Sequence, residues 1–293
     1  MVFNTVNLDR DLNAEATGLT RRPRKAVRVP RLTQALRRTL GNRQFLRGAA
    51  SVIVGLLLWE AFTLVFGLNP LLVSPPSAIY GALVQLGASG DLWKHVSLSL
   101  TQFLYGFIAC AAISIPFGLA LGMSRTLKDI FNPWISALYA TPSIALAPVL
   151  ILWLGFGITA KAAIVGFVAF FPIVINTMAG VESLPEQYGD VADAFGANAG
   201  ERFRHVLLPG SLPFIFAGLR LAVGRGLVGL VIGDLFGSNA GLGYLILHAA
   251  ELLNTPMLFA AVVMLALLAI TLMGTITAIE SKLTPWRWRE EGD

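Results

Sequence analysis

Hydrophobic residues are arranged along this chain in six long runs, each of a length that can cross a bilayer. A bilayer core about 30 Å thick takes roughly 20 apolar residues of α-helix. The chain is 55% hydrophobic and only 13% charged, so we predict an all-α membrane protein with about six transmembrane helices. The predicted spans cover residues 49–67, 97–123, 131–154, 161–181, 211–236 and 256–279.

Prolines interrupt this pattern at two places. The third span contains Pro133, Pro142 and Pro148, and each of them removes an amide donor and clashes with the preceding turn. We therefore expect this helix to be broken or kinked, either because it lines a translocation path or because of packing alone. Residues 69–86 open with prolines and predict a short helix along the outer surface, too brief to cross.

The fifth span is the least lipid-like, because it contains Arg220, Arg225 and Asp234. Ionisable residues in a span usually face the bundle interior or water and mark a pathway, although Arg220 could instead extend to the cytoplasmic interface. Arg225 and Asp234 point to opposite sides of a helix, so Glu60 is the first candidate partner for one arginine. A row of small residues predicts close approach of another helix, namely Gly218, Ala222, Gly226, Gly229, Gly233 and Gly237.

The positive charges predict the orientation of the spans. Eleven of the 22 Lys and Arg residues lie in residues 1–47, and 18 of the 22 fall on the side that holds both termini. By the positive-inside rule the N- and C-termini are cytoplasmic. Because the basic residues flank spans, we attribute the net charge of +5 to topology and anionic lipid and predict no nucleic-acid partner.

Metal and thiol chemistry find little support in the sequence. The single cysteine, Cys110, falls in an apolar span, and the three histidines show no metal-ligand spacing. We predict no metal, no cofactor and no catalytic residues.

The N-terminal region differs in composition from the spans. Residues 1–30 are polar and basic, which predicts disorder, and residues 31–47 place leucines on one helical row among arginines, as in a helix on the cytoplasmic membrane surface. The expected organisation is a basic tail over 1–48, a transmembrane domain over 49–285 and a second cytoplasmic tail over 286–293.

Residues 183–209 form an unusually polar stretch between the fourth and fifth spans. Ser183 and Glu186 fit a capping box that begins a short helix ending at Phe195, and Gly196 follows where a helix end favours a left-handed residue. Asn198 and Glu201 repeat the capping pattern and begin a second short helix that we expect Pro209 to close. Two short helices on the cytoplasmic face would suit docking into the groove of a partner.

This stretch resembles the EAA loop of ABC-transporter permeases. The family pattern of Glu-Ala-Ala, three residues, Gly, nine residues and Ile-x-Leu-Pro corresponds here to "DVA" at 190–192, Gly196 and "VLLP" at 206–209, with both spacings kept. Asp replaces the family's Glu and Val replaces its first Ala. By this resemblance, the residues that couple the chain to an ATPase are Asp190, Val191, Ala192, Gly196, Phe203, Val206, Leu208 and Pro209.

Five further stretches are similar to permeases that import aliphatic sulfonates, taurine and nitrate. These stretches are "LLVSPPSAI", "LILWLGFG", "FFPIVINT", "LPFIFAGLRLAVGR" and "GSNAGLGYLI", and the resemblance covers roughly residues 50–285. It implies the type I ABC importer permease fold in a bacterial inner membrane, a homodimer of permeases, two cytoplasmic ATPase subunits and an extracytoplasmic solute-binding protein. The chain has no Gly-x-x-x-x-Gly-Lys-Ser/Thr loop, in agreement with a separate ATPase.

The expected function is therefore import of a small, anionic solute. Bicarbonate and a thiamine-precursor pyrimidine are alternatives within the same class. The rivals are an ion-coupled secondary transporter, which would show inverted repeats, and an intramembrane enzyme, which would need a catalytic constellation; neither feature is found in the sequence. A structural scaffold is a third rival, but it would not explain the spacing of the EAA pattern. The candidate translocation-path residues are Glu60, Pro142, Asn176, Arg220, Arg225 and Asp234.

Overall fold

The computed structural model describes residues 43–67, 69, 71–236 and 238–285, and helices dominate these residues. Their contacts divide the chain into two units, residues 1–57 and 58–293. The predicted disordered tail and nearly all of the predicted surface helix lie outside the described residues. The helices in chain order are α1 (Arg43–Val65), α2 (Pro76–Ser89), α3 (Asp91–Met123), α4 (Arg125–Ala140), α5 (Ser143–Leu154), α6 (Ile158–Glu182), α7 (Glu186–Ala194), α8 (Ala199–Arg202), α9 (Leu208–Leu235), α10 (Leu242–Glu251) and α11 (Thr255–Leu283).

The helices confirm the predicted membrane architecture. Five helical segments are long and apolar enough to cross a membrane, and α4 with α5 forms a sixth if the bent pair is one span. Helix α2, with 14 residues, confirms the short helix after the first span. In the first unit, the described residues belong to α1 and are exposed from Leu46 to Leu57.

The predicted break in the third span is confirmed at one of its three prolines. Helices α4 and α5 meet at an angle of 99°, and Pro142 is the N-cap of α5. The preceding residue, Thr141, is extended, because the proline ring disfavours the helical conformation before it. Pro133 and Pro148 lie inside their helices.

Helix α6 forms the centre of the bundle, packed between α9 and α3. The predicted row of small residues on α9 is confirmed as the contact surface for α6, apart from Gly237, which lies outside the described residues. A Cβ at Gly229 would lie 3.2 Å from the Ile164 carbonyl oxygen, and one at Gly218 would lie 3.0 Å from the Pro172 carbonyl oxygen. These close approaches are possible because glycine adds no side chain to the interface.

Two expectations for the polar stretch are wrong. Ser183 does not begin the first short helix; its hydroxyl donates to the Gly180 carbonyl at the end of α6, and Pro185 is the N-cap of α7. Pro209 does not close the second short helix, since residues 199–235 form one continuous helical segment. A π-helical turn over Phe203–Leu207 widens the helix just before the proline, which accommodates its missing amide donor.

Candidate coupling surface and translocation path

The coupling segment, residues 183–209, joins the end of α6 to the start of α9. Gly196 has φ of +73°, and its amide donates to the Asp193 carbonyl while the Ala197 amide donates to the Ala192 carbonyl. This left-handed turn closes α7 and reverses the chain. The predicted conformation of Gly196 is therefore confirmed.

The second half of the coupling segment begins with the predicted capping box. The Asn198 side chain accepts from the Glu201 amide at 3.0 Å, and the Glu201 carboxylate accepts from the Asn198 amide at 2.9 Å. Two amides at the helix start are thereby satisfied.

An ion pair braces the two halves of the coupling segment. Arg202 Nη1 lies 3.5 Å from Asp193 Oδ2, and the Arg202 guanidinium also covers Gly189, where a Cβ would lie 2.5 Å from Nη2. Sequence reasoning missed this brace because Asp193 and Arg202 are nine residues apart across a turn, with no helical spacing to indicate a contact.

Four of the eight predicted coupling residues line one groove. The groove has a volume of about 340 Å³, and Val191 is exposed at its edge. Phe195, on the adjoining turn, is 88% exposed. The lining residues are Leu184, Tyr188, Val191, Ala192, His205, Val206, Pro209 and Gly210.

The other four predicted coupling residues lie elsewhere on the segment. Asp190 and Gly196 are exposed. Phe203 and Leu208 are half-buried and pack against a cluster formed by Leu119, Val181 and Ile215, from three long helices. The coupling segment therefore has an apolar groove on one side and a firm attachment to the bundle on the other.

The candidate path residues occupy several different environments. Arg225 is exposed on α9, and among the described residues no ion pair to it is found. Asn176 donates to the Pro172 carbonyl at 2.8 Å and packs against Gly218 of α9.

The expected pairing of Glu60 with an arginine is wrong. The Glu60 carboxylate accepts from the Ser77 amide at 3.0 Å and from its hydroxyl at 2.7 Å, so it caps the first turn of α2. Arg220 instead forms an ion pair with Glu280 of α11. Glu280 is 60 residues away from Arg220 along the chain, which explains why the sequence pattern did not indicate it.

Asp234 is buried at the last turn of α9, where Lys161 Nζ lies 3.2 Å from its Oδ1. Lys161 is on the first turn of α6 and is itself buried. A buried carboxylate is tolerated when it is paired and hydrogen-bonded, and this one occupies a contact between helices. The six candidate path residues are therefore not gathered into one site.

A bundle of apolar spans around α6, with a structured polar segment between α6 and α9, is the arrangement of a multi-pass membrane protein. The comparison with known families gives the class. Residues 112–285 match the family described as "Binding-protein-dependent transport system inner membrane component", and the chain belongs to this family. It is a multi-pass inner-membrane permease subunit, and ATP hydrolysis in such importers is carried out by a separate subunit.

Two relatives and one solved structure show the extent of the similarity. The taurine transport system permease protein TauC of Escherichia coli (strain K12) is 31% identical over 84% of this chain and 91% of the relative. The riboflavin transport system permease protein RibX of Chloroflexus aurantiacus is 33% identical over 79% of this chain and 86% of the relative. The MetNI methionine ABC transporter shares the fold, with a TM-score of 0.55 at 18% identity over 67% of this chain and 95% of that chain.

Proposed function

We propose that this chain forms the membrane path of an ATP-driven importer for a small anionic solute and that its coupling segment docks into a cytoplasmic ATPase. The observation that carries the coupling part is the groove lined by Val191, Ala192, Val206 and Pro209. An apolar groove on an otherwise polar segment is suited to receive an apolar side chain from a partner. The bundle contacts of Phe203 and Leu208 would pass movement of the docked segment to the spans.

The assembly that we propose contains two permease chains, two ATPase subunits and an extracytoplasmic solute-binding protein. The position of Arg225 supports a translocation path that needs a second permease chain to be complete. The Arg225 side chain is exposed on a membrane-spanning helix, beside the row of small residues that packs on α6. A cation at such a position faces water or another subunit rather than hydrocarbon.

The proposed solute is a sulfonate or a related small anion. Arg225 is an exposed cation on the least lipid-like span, and guanidinium groups bind sulfonate-like oxyanions through paired hydrogen bonds. TauC is named for transport of taurine, which carries a sulfonate group. RibX is named for riboflavin and favours, as a second candidate, a larger aromatic solute without a negative charge.

Replacing Gly196 by aspartate tests the coupling proposal. Nothing lies within 4 Å of the position that a Cβ would occupy, so the variant leaves the bundle packing unchanged. It strains the left-handed turn and adds a charge at the docking surface. We expect transport per ATP hydrolysed, or recovery of the ATPase with tagged permease, to fall at least about fivefold, the low end of typical coupling between sites.

The matched control is Gly87→Asp. Gly87 is an exposed glycine on α2 with nothing within 4 Å and no left-handed backbone, so the same chemical change occurs away from the coupling segment. Both variants are purified together with the ATPase subunit of the importer. Uptake at the wild-type level by Gly196→Asp would contradict the role of this turn, and failure of well-folded wild-type permease to retain any ATPase would contradict the docking proposal itself.

A further inference from the structure

The end of the bundle opposite the coupling segment is closed by a second tie between α6 and α9. Asp234 is at its centre, 1% exposed. Lys161 Nζ from α6 lies 3.2 Å from Asp234 Oδ1 and donates to the Ser238 hydroxyl at 2.5 Å. The Gly243 amide from α10 donates to Asp234 Oδ2 at 3.2 Å. We name this group, formed by Lys161, Asp234, Ser238 and Gly243, the clasp.

The clasp fits closely around the backbone that follows α9. A Cβ on Gly241 would lie 2.5 Å from Asp234 Oδ2, and one on Gly243 would lie 2.6 Å from Asp234 Cβ. Gly241 also has φ of +121°, a conformation that only glycine adopts without strain. The carboxylate and the two glycines therefore fix one conformation of this connection.

Helix α3 holds the same connection from the other side. The Gly241 amide donates to His95 Nδ1 at 3.0 Å, and the Leu242 amide donates to the Ser99 hydroxyl at 2.8 Å. These two side chains supply the partners that the first amides of α10 lack within their own helix. Residues 238–241 are thus attached to three membrane-spanning helices, although Asn239 itself is exposed.

Stability alone does not account for the ion pair in the clasp. Replacing a buried ion pair with apolar side chains of similar volume is often neutral or stabilising, whereas such pairs are retained in some proteins to select one arrangement. In this chain α6 and α9 are joined at one end by the coupling segment and at the other end by the clasp. Two packed helices tied at both ends move as one body.

We propose that the clasp transmits movement of the coupling segment along α6 and α9 to residues 238–241, which change position when the ATPase closes. This inference rests on the proposed function, because it requires an ATPase at the coupling segment. Lys161 and Asp234 are positioning residues that act through the connection they hold. Without the clasp, ATP hydrolysis continues and its effect no longer reaches the extracytoplasmic end.

The test measures the labelling of a cysteine at position 239 by a maleimide. The permease carries Asn239→Cys and Cys110→Ser, is purified with its ATPase and is placed in nanodiscs, with labelling rates compared without nucleotide and with ATP plus vanadate. With the clasp intact, we expect ATP to change the rate at least about fivefold, within the usual range of coupling between sites. In the same protein with Asp234→Asn, we expect a ratio close to one while ATP is still hydrolysed.

A double variant separates transmission from folding. Lys161→Met with Asp234→Leu replaces the pair with apolar side chains and so keeps the fold, but it removes the ties to Ser238 and Gly243. We expect this variant to hydrolyse ATP and to lose the ATP-dependent labelling change. The control is Glu251→Gln, an exposed carboxylate at the last residue of α10, which we expect to retain the change.

Each outcome decides one question. An unchanged labelling response in the double variant overturns the clasp proposal, and so does a wild-type complex that hydrolyses ATP without any change at position 239. Absence of ATPase from the wild-type preparation contradicts the proposed function instead. Loss of the response in both clasp variants, with the control intact, supports transmission through the clasp.

Discussion

Gly106→Val is expected to prevent the membrane bundle from forming. A Cβ on Gly106 would overlap the Ala162 carbonyl oxygen and lie 3.0 Å from two other Ala162 backbone atoms, so α3 and α6 could not keep their separation. Backbone atoms cannot move aside as a flexible side chain can. Overpacking a core typically costs about 1–3 kcal/mol even when side chains can adjust, and a cost above about 3 kcal/mol is expected here.

After detergent extraction, we expect size-exclusion chromatography to give at least about tenfold less monodisperse permease for Gly106→Val. The reason is that each 1.4 kcal/mol changes an equilibrium about tenfold. Gly274→Val is the matched control. Gly274 is in the last span, α11, and nothing lies within 4 Å of its Cβ position. Equal recovery of the two variants would show that the contact between α3 and α6 is not required for folding.

The spans could be predicted from the sequence because the bilayer imposes one length on every crossing. Gly196 and the Asn198 capping box could also be predicted, because both depend on backbone groups only a few residues away. The break at Pro142 follows from the chemistry of one residue and its predecessor. Each of these features is local.

The ion pairs could not be predicted, because their partners are distant in sequence. Lys161 and Asp234 meet only after α6 and α9 have packed, and Glu280 reaches Arg220 from the last span. Charge alone favours Glu60 as the partner of an arginine, but Glu60 accepts from Ser77 at the start of α2. Which charges meet is decided by helix packing rather than by any short pattern.

The two wrong helix boundaries have a different cause, which is competition between local signals and longer elements. The capping pattern at Ser183 is satisfied in sequence, yet α6 continues to Glu182 and leaves Ser183 at its C-terminal end. Pro209 normally favours a helix start, and a π-helical turn lets the preceding helix continue through it. A single π-helical turn before a proline is enough to let the helix continue through it.

Arg225→Gln is expected to weaken uptake of an anionic solute with little loss of protein. Arg225 is exposed on α9 beside the row of small residues that packs on α6, and Leu221 and Val228, one turn away on either side, are also exposed. It lies ten residues before the end of α9, about 15 Å along the helix at 1.5 Å per residue. The cation is therefore well inside the span, where an exposed charge requires water or an oppositely charged partner.

The expected change is in the apparent KM for taurine uptake into proteoliposomes that contain the permease, its ATPase and the binding protein. A hydrogen bond to a charged group contributes about 1.5–3 kcal/mol, so the apparent KM is expected to rise about tenfold or more in Arg225→Gln. Arg225→Lys keeps the positive charge and should lose less, because lysine replaces the paired hydrogen bonds with a single point charge.

Riboflavin supplied to the same proteoliposomes distinguishes the two candidate solutes. A taurine importer in which Arg225 binds the sulfonate would show the KM change with taurine and no riboflavin uptake. A wild-type apparent KM for taurine in Arg225→Gln, at equal protein levels, would remove Arg225 from the path. Since this arginine is exposed within a span, we would then assign it to the contact between two permease chains, which cross-linking at the exposed Leu221 and Val228 would detect.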